Sequence, residues 1–171
     1  MKTLKTLTAA SLLAVTGVSY AESGDYMNLQ LGISDVDGFS NGLAAIGTFG
    51  RPVPNVHENF SVEGEFTTTI ADPDATIAGN SVEVSYFTLG AYGVYSLPLN
   101  QYAKLRGRAG MIYYDADFSG AGGPYGSDDG FELSVGFGAT YNLNQQMDLI
   151  AEYTIIESDI SHLSAGIQYL F

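Results

Sequence analysis

Apolar and polar residues alternate along most of the chain after residue 25, in segments separated by stretches rich in Gly, Pro, Asn and Asp. The alternation is most regular from Phe131 to Leu143, where odd-numbered residues are apolar and even-numbered residues are small, polar or acidic. A period of two turns successive side chains to opposite faces of a β-strand, and the turn residues between segments are typical of antiparallel strands. The pattern therefore predicts eight strands of about ten residues each. They span residues 26–34, 43–50, 60–70, 84–95, 102–114, 131–143, 147–156 and 162–171.

The second face of each predicted strand indicates which kind of β-protein this is. A soluble sandwich turns long charged side chains to water on that face, whereas these strands carry mainly Gly, Ser, Thr, Asn and Gln there. Small polar side chains fit the narrow interior of a membrane-spanning barrel, whose apolar residues face lipid. Aromatic residues near the strand ends fit the two membrane interfaces. They are Tyr26, Phe49, Phe60, Tyr95, Tyr102, Tyr141 and Phe171 at one end, and Phe66, Phe87, Tyr113 and Phe131 nearer the other.

The last ten residues, HLSAGIQYLF, resemble the closing strand of bacterial outer-membrane β-barrels, with apolar residues at alternate positions and a terminal Phe171. The segments FSVEGEF, LGAYGVYSLPL and KLRGRAG are similar to the third, fourth and fifth strands of the OmpX/OmpA-type barrel family. The resemblance implies an all-β fold, an eight-stranded antiparallel up-and-down transmembrane β-barrel in the bacterial outer membrane. It also implies that the barrel-assembly machinery reads Phe171, Tyr169 and Ile167 as an assembly signal. Larger relatives add a peptidoglycan-binding domain, and we expect no such tether here because this sequence ends with the barrel.

The first 21 residues have the features of a secretory signal peptide. Lys2 and Lys5 precede an apolar run over residues 7–18, and small residues precede a cleavage point after Ala21. A membrane-spanning helix needs about 20 apolar residues, which this run does not reach. We therefore predict export, cleavage after Ala21 and a single outer-membrane barrel domain over residues 22–171.

The chain is strongly acidic, with 19 Asp and Glu residues against six Lys and Arg residues and a formal net charge of −13. Removal of the signal peptide leaves four basic residues, which argues against nucleic acid as a partner. The sequence contains no cysteine, so core packing or backbone pairing must stabilise the exported domain in place of disulfides. It shows no metal-ligand cluster, phosphate-binding glycine loop or other cofactor motif, and we predict no cofactor.

Three of the remaining basic residues, Lys104, Arg106 and Arg108, alternate with apolar or small residues in the fifth predicted strand. Their shared face is predicted to line the barrel interior, which is only wide enough for its own side chains. A charge there is costly unless it is paired, so we predict a charge network that plugs the lumen. The third and seventh strands lie two places from the fifth, and their carboxylates are expected to pair with Arg106 and Arg108 across the lumen. The predicted acidic members are Glu63, Glu65 and Glu152, together with Asp148 and with Glu132 nearer the opposite end from Lys104.

An even number of strands places both termini on the periplasmic side. Periplasmic turns are then expected at residues 51–59, 96–101 and 142–146, and extracellular loops at 35–42, 71–83, 115–130 and 157–161. Each extracellular loop carries a close acidic pair, which could bind divalent cations that bridge to lipopolysaccharide phosphates, or could simply keep a self-repelling surface solvated. No loop has the residue spacing of a dedicated calcium site. The best cation candidates are Asp115, Asp117, Asp128 and Asp129.

Some small outer-membrane barrels of similar size are enzymes that modify lipid A, so the resemblance also leaves room for an enzymatic function. His162 and Ser164 form an H-x-S pair similar to that of the lipid A deacylases. Those enzymes use a Glu that follows the pair, and this sequence has no Glu after Ser164. We therefore predict that the protein is not an enzyme.

Three classes of function remain open from the sequence. The first is a structural or surface-interaction barrel with a plugged lumen, in contact with outer-membrane lipid and lipopolysaccharide and serving adhesion or envelope integrity. The second is a narrow, porin-like channel for ions or small solutes, and the third is a lipid A-modifying enzyme. Inward charges that pair favour the first class, a continuous water column favours the second, and a mass shift of lipid A on expression would indicate the third.

Overall fold

The computed structural model describes residues 24–36, 38–77, 80–120, 123–157 and 160–171. The predicted signal peptide, residues 1–21, lies outside this part of the chain. So do Asp37, paired with Asp35 in the first predicted loop, and Asp159, paired with Glu157 in the fourth. No described segment is a helix long and apolar enough to cross a membrane. The described residues form nine β-strands: β1 (Tyr26–Val36), β2 (Gly42–Pro52), β3 (Phe60–Ala71), β4 (Asp74–Ile77), β5 (Asn80–Pro98), β6 (Ala103–Gly120), β7 (Gly123–Asn144), β8 (Met147–Glu157) and β9 (Ile160–Leu170).

Eight of these strands close into an antiparallel barrel, which confirms the predicted fold class. The first and last strands pair with each other, from Tyr26↔Leu170 to Val36↔Ile160. β3 pairs directly with β5, while the short β4 stays outside the ring and forms a hairpin with the start of β5. A closed ring satisfies the backbone hydrogen bonds of the wall from within, as a sheet in lipid requires.

The two faces of the wall invert the arrangement of a soluble protein. Apolar side chains at alternate positions are exposed on the outside, where Leu29 is 59% and Leu133 is 75% exposed. The polar side chains between them point inward, and Asn28 and Thr67 are fully buried. Apolar surface left in water costs about 25 cal/mol per Å², so this outer surface is stable only against an apolar solvent.

Strand length divides the barrel into two halves. β1, β2, β8 and β9 each contain 11 residues, close to the roughly 9–11 that span a membrane. β5, β6 and β7 contain 19, 18 and 22 residues and continue past the rest of the wall at the end opposite Gly24 and Phe171, the two termini of the described residues. We call this continuation the protruding sheet. It consists of residues 80–86 of β5, 110–120 of β6 and 123–134 of β7, which lie beyond the pairing of β5 with β3 and of β7 with β8.

The protruding sheet corrects two of the predicted extracellular loops. Most of residues 115–130 is strand, because β6 and β7 pair from Asp115↔Asp129 to Gly120↔Gly123. Residues 71–83 likewise contain β4 and the first residues of β5. The many Gly, Ser and Asp residues suggested loops, yet the alternation of Tyr114, Ala116 and Phe118 with acidic or small residues continues the period of two.

An apolar cluster covers the interior at the end opposite the termini. β1 and β5 are separated in the wall by β2 and β3, so contacts between their inward side chains cross the interior. The cluster consists of buried Val36, Val84, Tyr86 and Ala116, with Phe39, Phe118 and Ile160 packed against it.

Candidate functional site in the barrel lumen

Two arginines of β6 reach the centre of the lumen because they share the inward face of that strand. Arg106 and Arg108 are buried. Leu105, the residue before Arg106, points to the opposite face and is exposed on the outside of the barrel. Glycines of β7 lie beside both arginines in the register, Arg106↔Gly138 and Arg108↔Gly136. A Cβ at Gly136 would lie 3.2 Å from Arg108 Cγ, and one at Gly138 would lie 2.6 Å from Glu152 Cγ. The two glycines therefore leave the space that the charged side chains occupy.

Arg106 bridges carboxylates from opposite sides of the lumen. Its Nη2 donates to Glu63 Oε1 of β3 at 2.6 Å, and its Nε donates to Glu152 Oε1 of β8 at 3.2 Å. Its Nη1 donates to Gln168 Oε1 of β9 at 3.3 Å. The Arg106, Glu63 and Glu152 side chains are at most 3% exposed, so these pairs are shielded from solvent screening.

Arg108 forms a two-pronged contact with one carboxylate. Its Nη2 donates to Glu65 Oε1 at 3.0 Å, and its Nη1 donates to Glu65 Oε2. Its guanidinium carbon lies 4.1 Å from the ring centroid of Tyr92, a cation–π arrangement. Bidentate arginine–carboxylate pairs combine charge with fixed geometry, so Arg108 is held in one orientation.

Neutral residues complete the hydrogen bonds of the same carboxylates. Tyr26 donates its hydroxyl to Glu63 Oε1 at 2.7 Å, and Gln30 Nε2 donates to Glu152 Oε2 at 2.9 Å. The sequence analysis did not assign Tyr26, Gln30 or Tyr92 to the network. Their signal was present, because each shares the inward face of its strand with polar or charged residues. The sequence-based expectation that Tyr26 lies at a membrane interface was wrong, because Tyr26 is 6% exposed and faces the lumen.

Three predicted members lie outside this cluster. Lys104 is exposed at the mouth near the termini, where it lines a cavity of about 160 Å³. Glu132 is exposed because β8 no longer flanks β7 at that height. Asp148 is buried and accepts a hydrogen bond from Asn142 Nδ2 at 2.8 Å. Placing Lys104 and Glu132 in the charge cluster was therefore wrong, because strand parity gives the face of a side chain but not its height.

The four cation candidates do not converge. The register of β6 with β7 places Asp115, Asp117 and Asp129 on the outer face of the protruding sheet and Asp128 on the inner face. Asp128 accepts a hydrogen bond from the Tyr114 hydroxyl at 3.1 Å. Across the described ranges, no group of three or more His, Cys, Asp or Glu residues could hold a metal ion. Asp115 and Asp129 are direct partners in the register, but Asp128 lies on the opposite face, so the four carboxylates do not form one group.

The H-x-S pair is buried and its two side chains have different partners. His162 Nε2 is hydrogen-bonded to the Tyr86 hydroxyl, which also contacts Ser34 Oγ. Ser164 Oγ donates to Gln30 Oε1 at 2.9 Å and to the Glu152 carbonyl at 3.3 Å. The histidine is thus engaged with tyrosine and not with the serine that it would have to activate.

The C-terminal residue closes the barrel at the end that holds both termini. The Phe171 amide donates to the Asp25 carbonyl at 2.9 Å, and the Phe171 carbonyl accepts from the Gly24 amide at 3.1 Å. The Phe171 and Tyr169 rings meet edge to face with centroids 5.3 Å apart. The residues of the predicted assembly signal therefore lie along the seam between β1 and β9.

A family model described as "Outer membrane protein beta-barrel domain" matches residues 6–169. A comparison with curated proteins finds no match.

Several solved structures share the fold. Neisserial surface protein A is 17% identical to this chain, with a TM-score of 0.69. The match covers 87% of this chain and 98% of the Neisserial protein. Ail of Yersinia pestis has 18% identity and a TM-score of 0.55, covering 88% and 100%. OprG of Pseudomonas aeruginosa has 12% identity and a TM-score of 0.61, covering 88% and 97%. Ail has also been solved in complex with the heparin analogue sucrose octasulfate. At these identities the likeness concerns the fold alone.

Proposed function

Because the chain belongs to the outer membrane protein β-barrel family, we propose that it is a non-enzymatic surface-interaction barrel with a lumen plugged by ion pairs. It is a protein of the bacterial outer membrane. The short strands β1, β2, β8 and β9 anchor it in the membrane, and the protruding sheet extends on the extracellular side. The proposed partner is an extended, basic protein segment that pairs with the edge of the protruding sheet.

The observation that carries this proposal is the edge of β7. Residues 135–144 pair with β6 or its turn on one side and with β8 on the other, whereas residues 123–134 pair only with β6 in the described part of the chain. An unpaired edge presents a row of backbone N–H and C=O groups to which an extended peptide can add as a further strand. Twelve residues at about 3.4 Å each make this edge roughly 40 Å long.

Acidic side chains define which partner fits this edge. Asp128, Asp129 and Glu132 are exposed on β7, and Asp117 is exposed on the neighbouring β6. Charge complementarity steers association and rejects partners of like charge, so the edge favours a basic segment. The heparin analogue bound by Ail is polyanionic, and the acidic edge argues against a ligand of that charge for this chain.

Two features argue against the alternative functions. The ion pairs of Arg106 and Arg108 and the apolar cluster obstruct the lumen at two heights, which disfavours a steady channel. The engagement of His162 with Tyr86 disfavours a deacylase-like reaction at Ser164.

A peptide-binding titration tests the proposal. The protein is reconstituted in nanodiscs and titrated with a fluorescent, unstructured peptide of alternating Lys and Thr, with anisotropy as the readout. We expect binding that weakens as salt rises and that is lost in an Asp128→Asn, Asp129→Asn double variant. The matched control is Glu58→Gln, which neutralises an exposed carboxylate at the end near the termini and should bind like wild type.

A second peptide separates strand addition from simple charge attraction. The same sequence with N-methylated alternate backbone amides keeps its charge but cannot complete a ladder of hydrogen bonds. We expect it to bind far more weakly. Equal binding by the N-methylated peptide, or by the double variant, would contradict pairing at this edge.

A further inference from the structure

We propose that the lumen binds one small monovalent cation, such as sodium, beside Glu63 Oε2. This inference rests on the lumen charge network and not on the partner of the protruding sheet. It follows from the balance of buried charges and from unsatisfied polar atoms of Glu63 and Asn28, two of the four described residues with such atoms.

The buried network contains one more negative than positive charge. Glu63, Glu65 and Glu152 face Arg106 and Arg108, and every one of these side chains is at most 3% exposed. Buried Asp148, which accepts from Asn142, and exposed Lys104 lie outside this cluster, towards the end near the termini, and are not part of this count. His162, whose ring is stacked on Tyr86, is counted as neutral, as in the formal charge of the sequence. An unneutralised charge in such an interior is costly, so a further positive charge stabilises the folded barrel.

Glu63 has one carboxylate oxygen that no described residue satisfies by a hydrogen bond. Its Oε1 accepts from both Arg106 and Tyr26, at 2.6 and 2.7 Å. Its Oε2 is buried and has no hydrogen-bond partner among the described residues. Arg108 Nη1 lies 3.8 Å from this oxygen and is already donating to Glu65. Glu63 Oε2 is thus a carboxylate oxygen available to a cation.

Asn28 supplies a second polar group in the same part of the lumen. Tyr26, Asn28 and Gln30 are successive inward-facing residues of β1. Tyr26 donates to Glu63 and Gln30 donates to Glu152, so both flanking residues contact the network. Asn28 between them is 0% exposed, and neither its Oδ1 nor its Nδ2 has a hydrogen-bond partner in the described chain. Buried amides of this kind are normally satisfied, so this one indicates a bound group.

The chemistry of these groups selects a monovalent ion. Carboxylate and amide oxygens are hard ligands that suit hard cations, and the Asn28 amide nitrogen can donate to a water that the ion retains. One unit of charge balances the network, whereas a divalent ion would leave an excess of positive charge. The described residues offer no group of three or more His, Cys, Asp or Glu side chains that could hold a metal ion. The proposed ligands are therefore one carboxylate and one amide, which carry too little negative charge for a multivalent ion.

Urea unfolding at constant ionic strength tests the site. The barrel is folded in lipid vesicles, and N-methylglucamine, a cation too large for this lumen, is replaced stepwise by sodium. We expect the wild-type midpoint to rise with sodium and to saturate, as for a ligand that binds only the folded state. Glu63→Gln removes the excess charge and should abolish the sodium dependence. Glu132→Gln, which neutralises an exposed carboxylate, should retain it.

A second variant keeps the result interpretable if Glu63→Gln folds poorly. Asn28→Ala leaves the charge balance intact, removes one ligand and should raise several-fold the sodium concentration needed for half the effect. A wild-type midpoint that does not respond to sodium, or a response retained in Glu63→Gln, would overturn the proposal. A midpoint that is flat in sodium but rises as pH falls would show that a proton supplies the charge instead. None of these outcomes bears on peptide binding at β7, which is measured separately.

Discussion

Removing Arg106 should destabilise the barrel far more than removing its neighbour on the same face, Lys104. Arg106→Ala leaves Glu63 and Glu152 buried without the guanidinium that they share at 2.6 and 3.2 Å. Breaking a buried ion pair by deleting one partner typically costs about 3–5 kcal/mol. Glu63 keeps the Tyr26 hydroxyl and Glu152 keeps the Gln30 amide, so the expected cost is at the lower end, about 3 kcal/mol.

Urea unfolding in lipid vesicles measures this difference. A loss of about 3 kcal/mol lowers the folding equilibrium constant by more than a hundredfold. Lys104→Ala removes the same kind of charge from an exposed position and should change the free energy of unfolding by no more than about 0.5 kcal/mol. A double variant, Arg106→Ala with Glu63→Gln, should recover part of the loss because no carboxylate is then left facing the missing charge at Glu63.

Planar-bilayer recordings address the plug with the same proteins. Wild type is expected to show no stable porin-like conductance. Arg106→Ala is expected to admit small cations at most weakly, because it unbalances the charge network but leaves the apolar cluster across the lumen. Large, steady wild-type channels that Arg106→Ala leaves unchanged would refute the plug and favour the channel function. An unfolding free energy for Arg106→Ala equal to that of Lys104→Ala would refute the energetic reasoning.

Two further perturbations test other parts of the molecule. Deleting Phe171 should reduce the amount of assembled barrel more than shortening the tip of the protruding sheet, because its backbone bonds to Gly24 and Asp25 close the seam; equal surface levels on quantitative labelling would contradict this. Replacing four carboxylates by Asn, at Asp115, Asp117, Asp128 and Asp129, should leave the effect of calcium on the urea midpoint unchanged at fixed ionic strength. The reason is that the strand register places these carboxylates on two faces. A calcium response present only in wild type would instead point to a shared site.

The period of two was enough to predict which side chains face the lumen. Arg106, Arg108, Glu63, Glu65 and Glu152 follow from parity alone, since each lies opposite an apolar face on its own strand. Their pairing across the lumen could also be expected, because a narrow barrel brings strands that are two places apart within reach of long side chains.

Heights along the strands could not be predicted in the same way. Lys104 and Glu132 share the parity of the network, but Lys104 lies at the start of β6 and Glu132 lies in the part of β7 that β8 does not flank. Their depth depends on where the neighbouring strands stop. Strand ends are poorly marked where Asp, Ser and Gly continue an alternating pattern, as in residues 115–130. The missing hydrogen bonds of Asn28 and Glu63 depend on three-dimensional packing, so the sequence alone could not predict them.

The seam between β1 and β9 also sets the order of events in biogenesis. It joins Tyr26 to Leu170, so the contacts that close the ring connect residues at opposite ends of the described chain. None of these contacts can form before the last strand has been synthesised and exported. Contacts of such long sequence separation slow folding because the loop-closure entropy is lost before they form. Until the seam forms, the first and the last strand each present an edge without its partner, and the finished wall no longer has these two edges.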